Sequence, residues 1–429
     1  MPTELKVHPD PERRKKIFRS IANTEYLNIW EGAIRSSKTV VTILAWLNYL
    51  TETDETVFII SGRTLGTVER NLIHGDYGIE ALAPGSKYQQ VGRSMAVLIN
   101  TPKGIKTCYC FGASDVKSFP NLRGLTAGGW LADEVNVQNK EFVQECFNRT
   151  ALSSDRRIFW TLNPDNPHHW IYKDPTIGID RYTSMTPEQK KEVGGVRYWH
   201  FTPEDNPAMT PQRLAELSKQ YTGFAYNRYI LGERCAAEGL IYPRVNESYF
   251  KDFDRSKVDC RYCSVDFGSN HATVFYIGGP VLKDDGRPDW SQWRVCYELY
   301  DENSGKDSAE YADMFVKFCE DNGLNPKKMM VAVDPAALVM KNSLIRRGIN
   351  AFNAKNDVLE GIRYCQSLIS QGHVLFHRSC RNLLSGFGSY TWDEKAAERG
   401  EDKPLKANDD AQDSFRYWGY THVRPMVPL

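Results

Sequence analysis

The stretch YLNIWEGAIRSSKTVVTILAWLNYL, residues 26–50, reads as an apolar strand (26–30), a polar turn and an uninterrupted helix (38–50). A chain that leaves a strand, turns tightly and enters a helix presents unpaired backbone N–H groups at the helix start, which is what a phosphate-binding loop needs. The usual spacing is G-x-x-x-x-G-K-[ST]. Gly32, Lys38 and Thr39 are in register with it, and Ser37 stands where the second glycine is expected. In this reading the backbone around Ser36 and Ser37 cradles the phosphates of ATP. Lys38 reaches the β- and γ-phosphates, and the Thr39 hydroxyl holds Mg²⁺. Arg35, inside the loop, is placed to stabilise charge on the transferring phosphoryl group.

Working outward, the pattern alternates strands and helices as α/β folds do. TVFIISG (56–62) is a strand, MAVLIN (95–100) and KTCYCFG (106–112) form a hairpin, and GGWLADE (128–134) is a strand ending in two acids. The acids follow Lys38 by about 95 residues, the order expected of a nucleotide hydrolase. Asp133 is assigned to the Mg²⁺ and Glu134 to the general base. RRIFWTLNP (156–164) is the next strand, and the hydroxyl of Thr161 and amide of Asn163 at its end are placed to sense the γ-phosphate. Residues 202–234 carry helical periodicity after a proline-punctuated start and are read as a helical lid or linker.

A second α/β pattern follows. RYCSVDFGSNHATVFYIGG (261–279) is strand, turn and strand, and WRVCYELYDE (293–302) is a third strand. Helices are expected at 306–323, 358–372 and 409–422, with a charged loop at 394–408. Acids stand at the element ends: Asp266, Asp334, and Asp410 with Asp413, which three-residue spacing puts on one helix face. Carboxylates converging from strands and a late helix suit two Mg²⁺ or Mn²⁺ ions that clamp a phosphodiester. Asp409 is the alternative to Asp410, and His271 reads as a solvated loop residue rather than a ligand. The domains are therefore a P-loop ATPase (1–200), a lid and linker (201–250) and a nuclease (251–429).

Bulk composition constrains little else. Lys+Arg and Asp+Glu are both 54, so the chain has no overall basic charge for static nucleic-acid binding. Lys117, Arg123, Lys140, Arg149, Arg346, Arg347 and Lys355 are basic candidates for DNA contact, each more simply a solvated charge. The ten cysteines are scattered without a second ligand pair for zinc, and no apolar run is long enough for a membrane span. The expectation is a cytoplasmic protein.

The ordered set Gly32–Thr39, Leu131–Glu134, Thr161–Pro164, Leu231–Glu233, Gly239–Pro243, Asp266, Asp334 and Asp410–Tyr417 resembles the large subunit of tailed-phage terminases over about residues 26–420. The resemblance implies an ASCE/RecA-like ATPase driving double-stranded DNA into a procapsid through the portal protein. It also implies an RNase H-like endonuclease cutting concatemeric DNA. Implied too are a small terminase subunit as partner, action in the host cytoplasm outside the mature virion, and a free monomer that forms a homo-pentamer on the portal. Relatives often carry His where Asp410 stands, and the family places adenine contact just before the first strand, here Asn23–Tyr26. The competing reading is an ATP-dependent helicase or repair translocase with an appended nuclease. It requires a second nucleotide-domain pattern, which the C-terminal half lacks.

Overall fold

The computed structural model describes residues 6–114, 122–221, 223–268, 271–302, 305–407 and 409–429. The chain divides into two compact units. Unit 1 holds residues 1–215 and 224–236, and unit 2 holds 216–223 and 237–429. The stretch 201–250 is thus shared between the two. Its helical part, residues 202–234, is broken into short pieces. It folds as a short helix at Pro211–Ser218, one turn at Gly223–Tyr226 and a wide turn at Asn227–Leu231. Gly232 (φ 75°) caps the last of them in the left-handed conformation that ends helices.

Unit 1 is built on a sheet of β1 (Leu27–Gly32), β2 (Val57–Gly62), β3 (Lys87–Val91), β4 (Ser94–Thr101), β5 (Gly104–Gly112), β6 (Gly129–Ala132), β7 (Arg157–Leu162) and β8 (Val196–Phe201). The order is β3-β4-β5-β2-β6-β7-β1-β8, with β5 through β8 mutually parallel and β3-β4-β5 an antiparallel flank. β7 therefore lies between the loop-bearing β1 and the acid-bearing β6, the ASCE/RecA-like arrangement. Parallel strands buried on both faces read as continuous apolar runs, and β1, β6 and β7 do. Helices α1 (Pro11–Ala22), α2 (Lys38–Glu52) and α3 (Lys140–Arg149) cover the sheet.

α2 contains no Gly or Pro, and it buries Val41, Ala45, Trp46, Tyr49 and Leu50. Trp46 meets Phe58 and Phe159 edge-on at 5.5 and 5.2 Å, so α2 is locked over β2 and β7. Its C-terminal end is capped from the hairpin. The buried Lys106 ammonium donates to the Thr53 and Glu55 carbonyls at 2.8 and 2.7 Å, a cation at the negative helix end. This packing fixes the N-terminal end of α2, and with it the loop.

Unit 2 carries β9 (Phe250–Lys251), β10 (Tyr262–Asp266), β11 (Thr273–Leu282), β12 (Pro288–Asp301), β13 (Met330–Val333), β14 (Asn350–Asn353) and β15 (Val374–His377), in the order β14-β13-β10-β11-β12-β15-β9. β10, β11 and β12 form an antiparallel meander, while β13 and β14 continue parallel to β10. This is the RNase H-like arrangement. α4 (Ser308–Asp321), α5 (Leu338–Arg346) and α6 (Val358–Ser370) pack around it. The closing helix α7 (Asp410–Trp418) is buried from Ala411 to Trp418. Its register on the sheet is pinned by three bonds. Ser264 Oγ donates to the Ser414 carbonyl (2.8 Å), Trp418 Nε1 to the Tyr262 carbonyl (3.0 Å), and His422 Nε2 pairs with the Cys263 carbonyl (2.8 Å).

Candidate functional site

The loop between β1 and α2 surrounds the Lys38 ammonium. Nζ donates to the carbonyls of Gly32 (2.9 Å) and Ala33 (2.6 Å), to Ser36 Oγ (3.3 Å) and to Asn163 Oδ1 (3.1 Å). Burial lowers the Lys38 pKa to about 8, against the pull of Asp133, Glu134 and Glu31. Thr161 Oγ1 donates to Asp133 Oδ1 at 2.7 Å and accepts the Glu134 N–H at 3.0 Å. Asn163 Nδ2 lies 3.5 Å from Glu134 Oε1. Thr161 of β7 and Asn163 just after it thus join Lys38, Asp133 and Glu134, which the place of β7 between β1 and β6 permits.

Among the described residues, the non-glycine residues with positive φ are Arg35 (54°), Ser37 (68°) and Glu134 (50°), all in this site. Left-handed backbone costs an L-residue about 1–2 kcal/mol, and such strain gathers where function fixes geometry. Ser37 adopts the conformation for which the second loop glycine is ordinarily used. Ser37→Gly is expected to relieve that strain, less the unfolded-chain entropy glycine adds, for a net gain of about 0.5–1 kcal/mol. A rise in the urea midpoint with unchanged slope is the check.

Arg35, Ser36, Ser37, Lys38, Thr39, Asp133, Glu134, Thr161 and Asn163 line one cavity of about 550 Å³. Gly32 does not line it. A Cβ there would lie 1.8 Å from the Phe201 carbonyl oxygen of β8, so its smallness serves the approach of the two strands. The apolar end of the cavity comes from Val7, Ile17, Phe18 and Ile21 on and before α1. The expected contact stretch Asn23–Tyr26 lies outside the lining. The sequence reading missed three supports: Asn71, which donates to Asp133 Oδ2 (3.1 Å), Asn206, which donates to the Arg35 carbonyl (2.7 Å), and the apolar face of α1. The apolar face was visible as Ile17, Phe18 and Ile21 at helical spacing; the two amides carry no local signal.

In unit 2, the ends of β10 and β13 and the start of α7 bring Asp266, Asp334, Asp410 and Asp413 together. Burial, then Asp413, Asp410 and Asp334, push the Asp266 pKa well above the carboxylate range. Burial, then Asp409, raises Asp410, with His271 opposing. Asp413 is compensated by Arg416 Nη2 and Lys406 Nζ, both at 2.9 Å, and Asp334 Oδ2 accepts the Tyr417 hydroxyl at 2.7 Å. Among the described residues no three His, Cys, Asp or Glu side chains are gathered around a single ion position. The donor chemistry nonetheless fits hard divalent cations: the four side chains offer carboxylate oxygens, and Asp413, Asp410 and Asp334 all act electrostatically on Asp266. Of the basic candidates, Lys140, Arg149 and Arg347 are engaged with Asp174, Glu145 and Asp313. Arg123, Arg346 and Lys355 are exposed, and Lys117 lies outside the described residues. All ten cysteines are free thiols, and among the described residues no helix is long and apolar enough to cross a membrane.

Comparison with known proteins places these features in a family. The family described as Terminase large subunit, T4likevirus-type, N-terminal, matches residues 29–248. The terminase large subunit of Escherichia phage T5 is 29% identical over 240 residues, 52% of this chain and 51% of that protein. The chain thus spans about half the length of that curated relative. The solved large terminase of a thermophilic bacteriophage is 28% identical with a TM-score of 0.77, covering 94% of this chain and 98% of that one. Its complex with ADP gives 28% and 0.78, covering 95% and 99%, and it has also been solved with ATP-γ-S. The chain belongs to the family of phage terminase large subunits.

Proposed function

We propose that this chain is a DNA-packaging motor: unit 1 hydrolyses ATP to drive double-stranded DNA into a procapsid, and unit 2 cuts concatemeric DNA. The observation that carries the first half is the chain of contacts Lys38–Asn163–Glu134, which ties the phosphate-gripping lysine to the base. The large terminase of the thermophilic bacteriophage, alike over nearly the whole chain, binds ADP and ATP-γ-S, which supports the same ligand here. The apolar end of the cavity accepts the base, and the loop backbone and Lys38 accept the phosphates. Glu134 takes the proton of the attacking water, and Arg35 neutralises charge on the transferring group. Thr39 and Asp133 would hold Mg²⁺, which supplies charge neutralisation at the β- and γ-phosphates. When the γ-phosphate leaves, Asn163 loses one of the groups that orient it, and β7 carries that change away from the site.

For the second half, Asp266, Asp334, Asp410 and Asp413 would hold two Mg²⁺ or Mn²⁺ ions, whose chemistry is to stabilise the attacking and leaving oxygens of a phosphodiester. The proposed partners are double-stranded DNA, the portal protein and the small terminase subunit. The chain is monomeric when free, pentameric on the portal, and acts in the host cytoplasm. A repair translocase needs a second nucleotide-binding sheet. The antiparallel centre of the unit 2 sheet is not one.

The deciding test is hydrolysis of ATP by the wild type and Glu134→Gln. The variant is expected to bind ATP-γ-S as the wild type does and to turn over ATP about a hundredfold more slowly. Turnover near wild type removes Glu134 as the base.

A further inference from the structure

Glu31, the residue before Gly32, is 1% exposed, and the cavity does not include it. Its carboxylate accepts the hydroxyls of Tyr172 and Tyr198, both at 2.7 Å. It also accepts a two-pronged contact from Arg234, with Nε 2.8 Å from Oε1 and Nη2 2.5 Å from Oε2. Arg234 Nη1 reaches Asp180 at 2.8 Å, and its guanidinium carbon lies 3.9 Å over the Tyr172 ring. Arg234 belongs to residues 224–236, the last part of unit 1 before the chain enters unit 2.

The same segment braces the loop with its backbone. The Ile34 N–H donates to the Tyr229 carbonyl at 3.0 Å. Gly232 packs so closely that a Cβ there would lie 2.9 Å from His200 Nε2 and 3.0 Å from the Ala33 nitrogen. Arg228, 1% exposed, pairs with Asp165 at 3.3 Å, two residues past Asn163, and Asp165 also accepts Asn136 Nδ2 at 2.9 Å. One short segment therefore holds both the loop that grips phosphate and the loop that follows the sensing strand. A buried ion pair is a poor source of net stability, because desolvation consumes most of its attraction. What it supplies is a contact that is either fully made or costly to leave half made. Here the pair anchors the residue that leads into the phosphate loop. Glu31 also lies within electrostatic reach of Lys38, so the pair bears on the charge of the loop as well as its position.

Resting on the nucleotide reading above, we propose that Arg234 is a positioning residue for the nucleotide reaction, and that its bidentate hold on Glu31 couples docking of residues 224–236 to nucleotide occupancy. The test is hydrogen–deuterium exchange of the full chain with and without Mg²⁺ and ATP-γ-S, together with ATP turnover. Wild type, Arg234→Gln and the double variant Glu31→Gln/Arg234→Gln are compared. ATP-γ-S is expected to slow exchange across 224–236 in the wild type and not in either variant. In Arg234→Gln, kcat is expected to fall about tenfold to a hundredfold, since a small misplacement of a reacting group has that effect. ATP-γ-S affinity should change by less than about threefold, the split that marks positioning rather than binding. The double variant removes the stranded carboxylate and is expected to regain the wild-type melting temperature without regaining kcat. Exchange in 224–236 that ignores saturating ATP-γ-S in the wild type overturns the proposal, as does full recovery of kcat in the double variant. A wild type that binds no ATP-γ-S overturns the nucleotide reading itself.

Discussion

Lys38→Ala is expected to abolish ATP turnover, by on the order of a thousandfold or more, since a preorganised charge at the transferring phosphate is removed outright. The loss should be chemical rather than structural. At neutral pH, holding Lys38 charged at a pKa of about 8 instead of 10.5 costs about 3 kcal/mol. Its four hydrogen bonds return about 1 kcal/mol each, which offsets that cost. The sign of the pH dependence gives a second check. Because the unfolded chain binds this proton more tightly, stability rises with pH between about 8 and 10.5, and Lys38→Ala should lack that rise. Plasmid cutting by unit 2 with Mn²⁺ should persist. Turnover within tenfold of wild type sinks the role given to Lys38, and loss of cutting as well shows that the two activities are not separable.

Asp266→Asn is expected to lose metal-dependent plasmid cutting, by about a thousandfold, and to keep ATP turnover. It is also expected to melt at a higher temperature than the wild type at neutral pH in chelator. Burial and the neighbouring Asp413, Asp410 and Asp334 raise the folded pKa of Asp266. The folded state then holds a proton that the unfolded state has released, so stability falls as pH rises from the ordinary carboxylate range through the raised value. Asparagine removes that loss. Mn²⁺ should raise the melting temperature of the wild type, whose carboxylates it neutralises, and move the variant much less. A variant that cuts like wild type, or that melts lower than it in chelator, contradicts the assignment.

The parts of the fold visible in the sequence are those decided by local chemistry. β1 and α2 were legible because an apolar run, a loop with Lys38-Thr39 and a helix without breakers follow one another. β6 and β7 were legible because each is an apolar run ending in polar residues. β8 was not. As an edge strand it is largely exposed, and Val-Arg-Tyr-Trp-His-Phe (196–201) shows no buried run. The four-residue strands β14 and β15 carry too little pattern to be distinguished from loop. Residues 202–234 are helical in pieces, at Pro211–Ser218, Gly223–Tyr226 and Asn227–Leu231, and the breaks between pieces are not visible in the periodicity. In the site, Lys38, Asp133 and Asp266 are legible in the sequence because residue type and order single them out. The Glu31–Arg234 pair joins positions 203 residues apart, and no local pattern in either stretch points to the other.

A Cβ at Gly32 would lie 1.8 Å from the carbonyl oxygen of Phe201, so Gly32 is under folding pressure from the sheet itself, a constraint that Lys38 does not share. The glycine at that position therefore reports that β1 and β8 close against each other, whatever the loop binds.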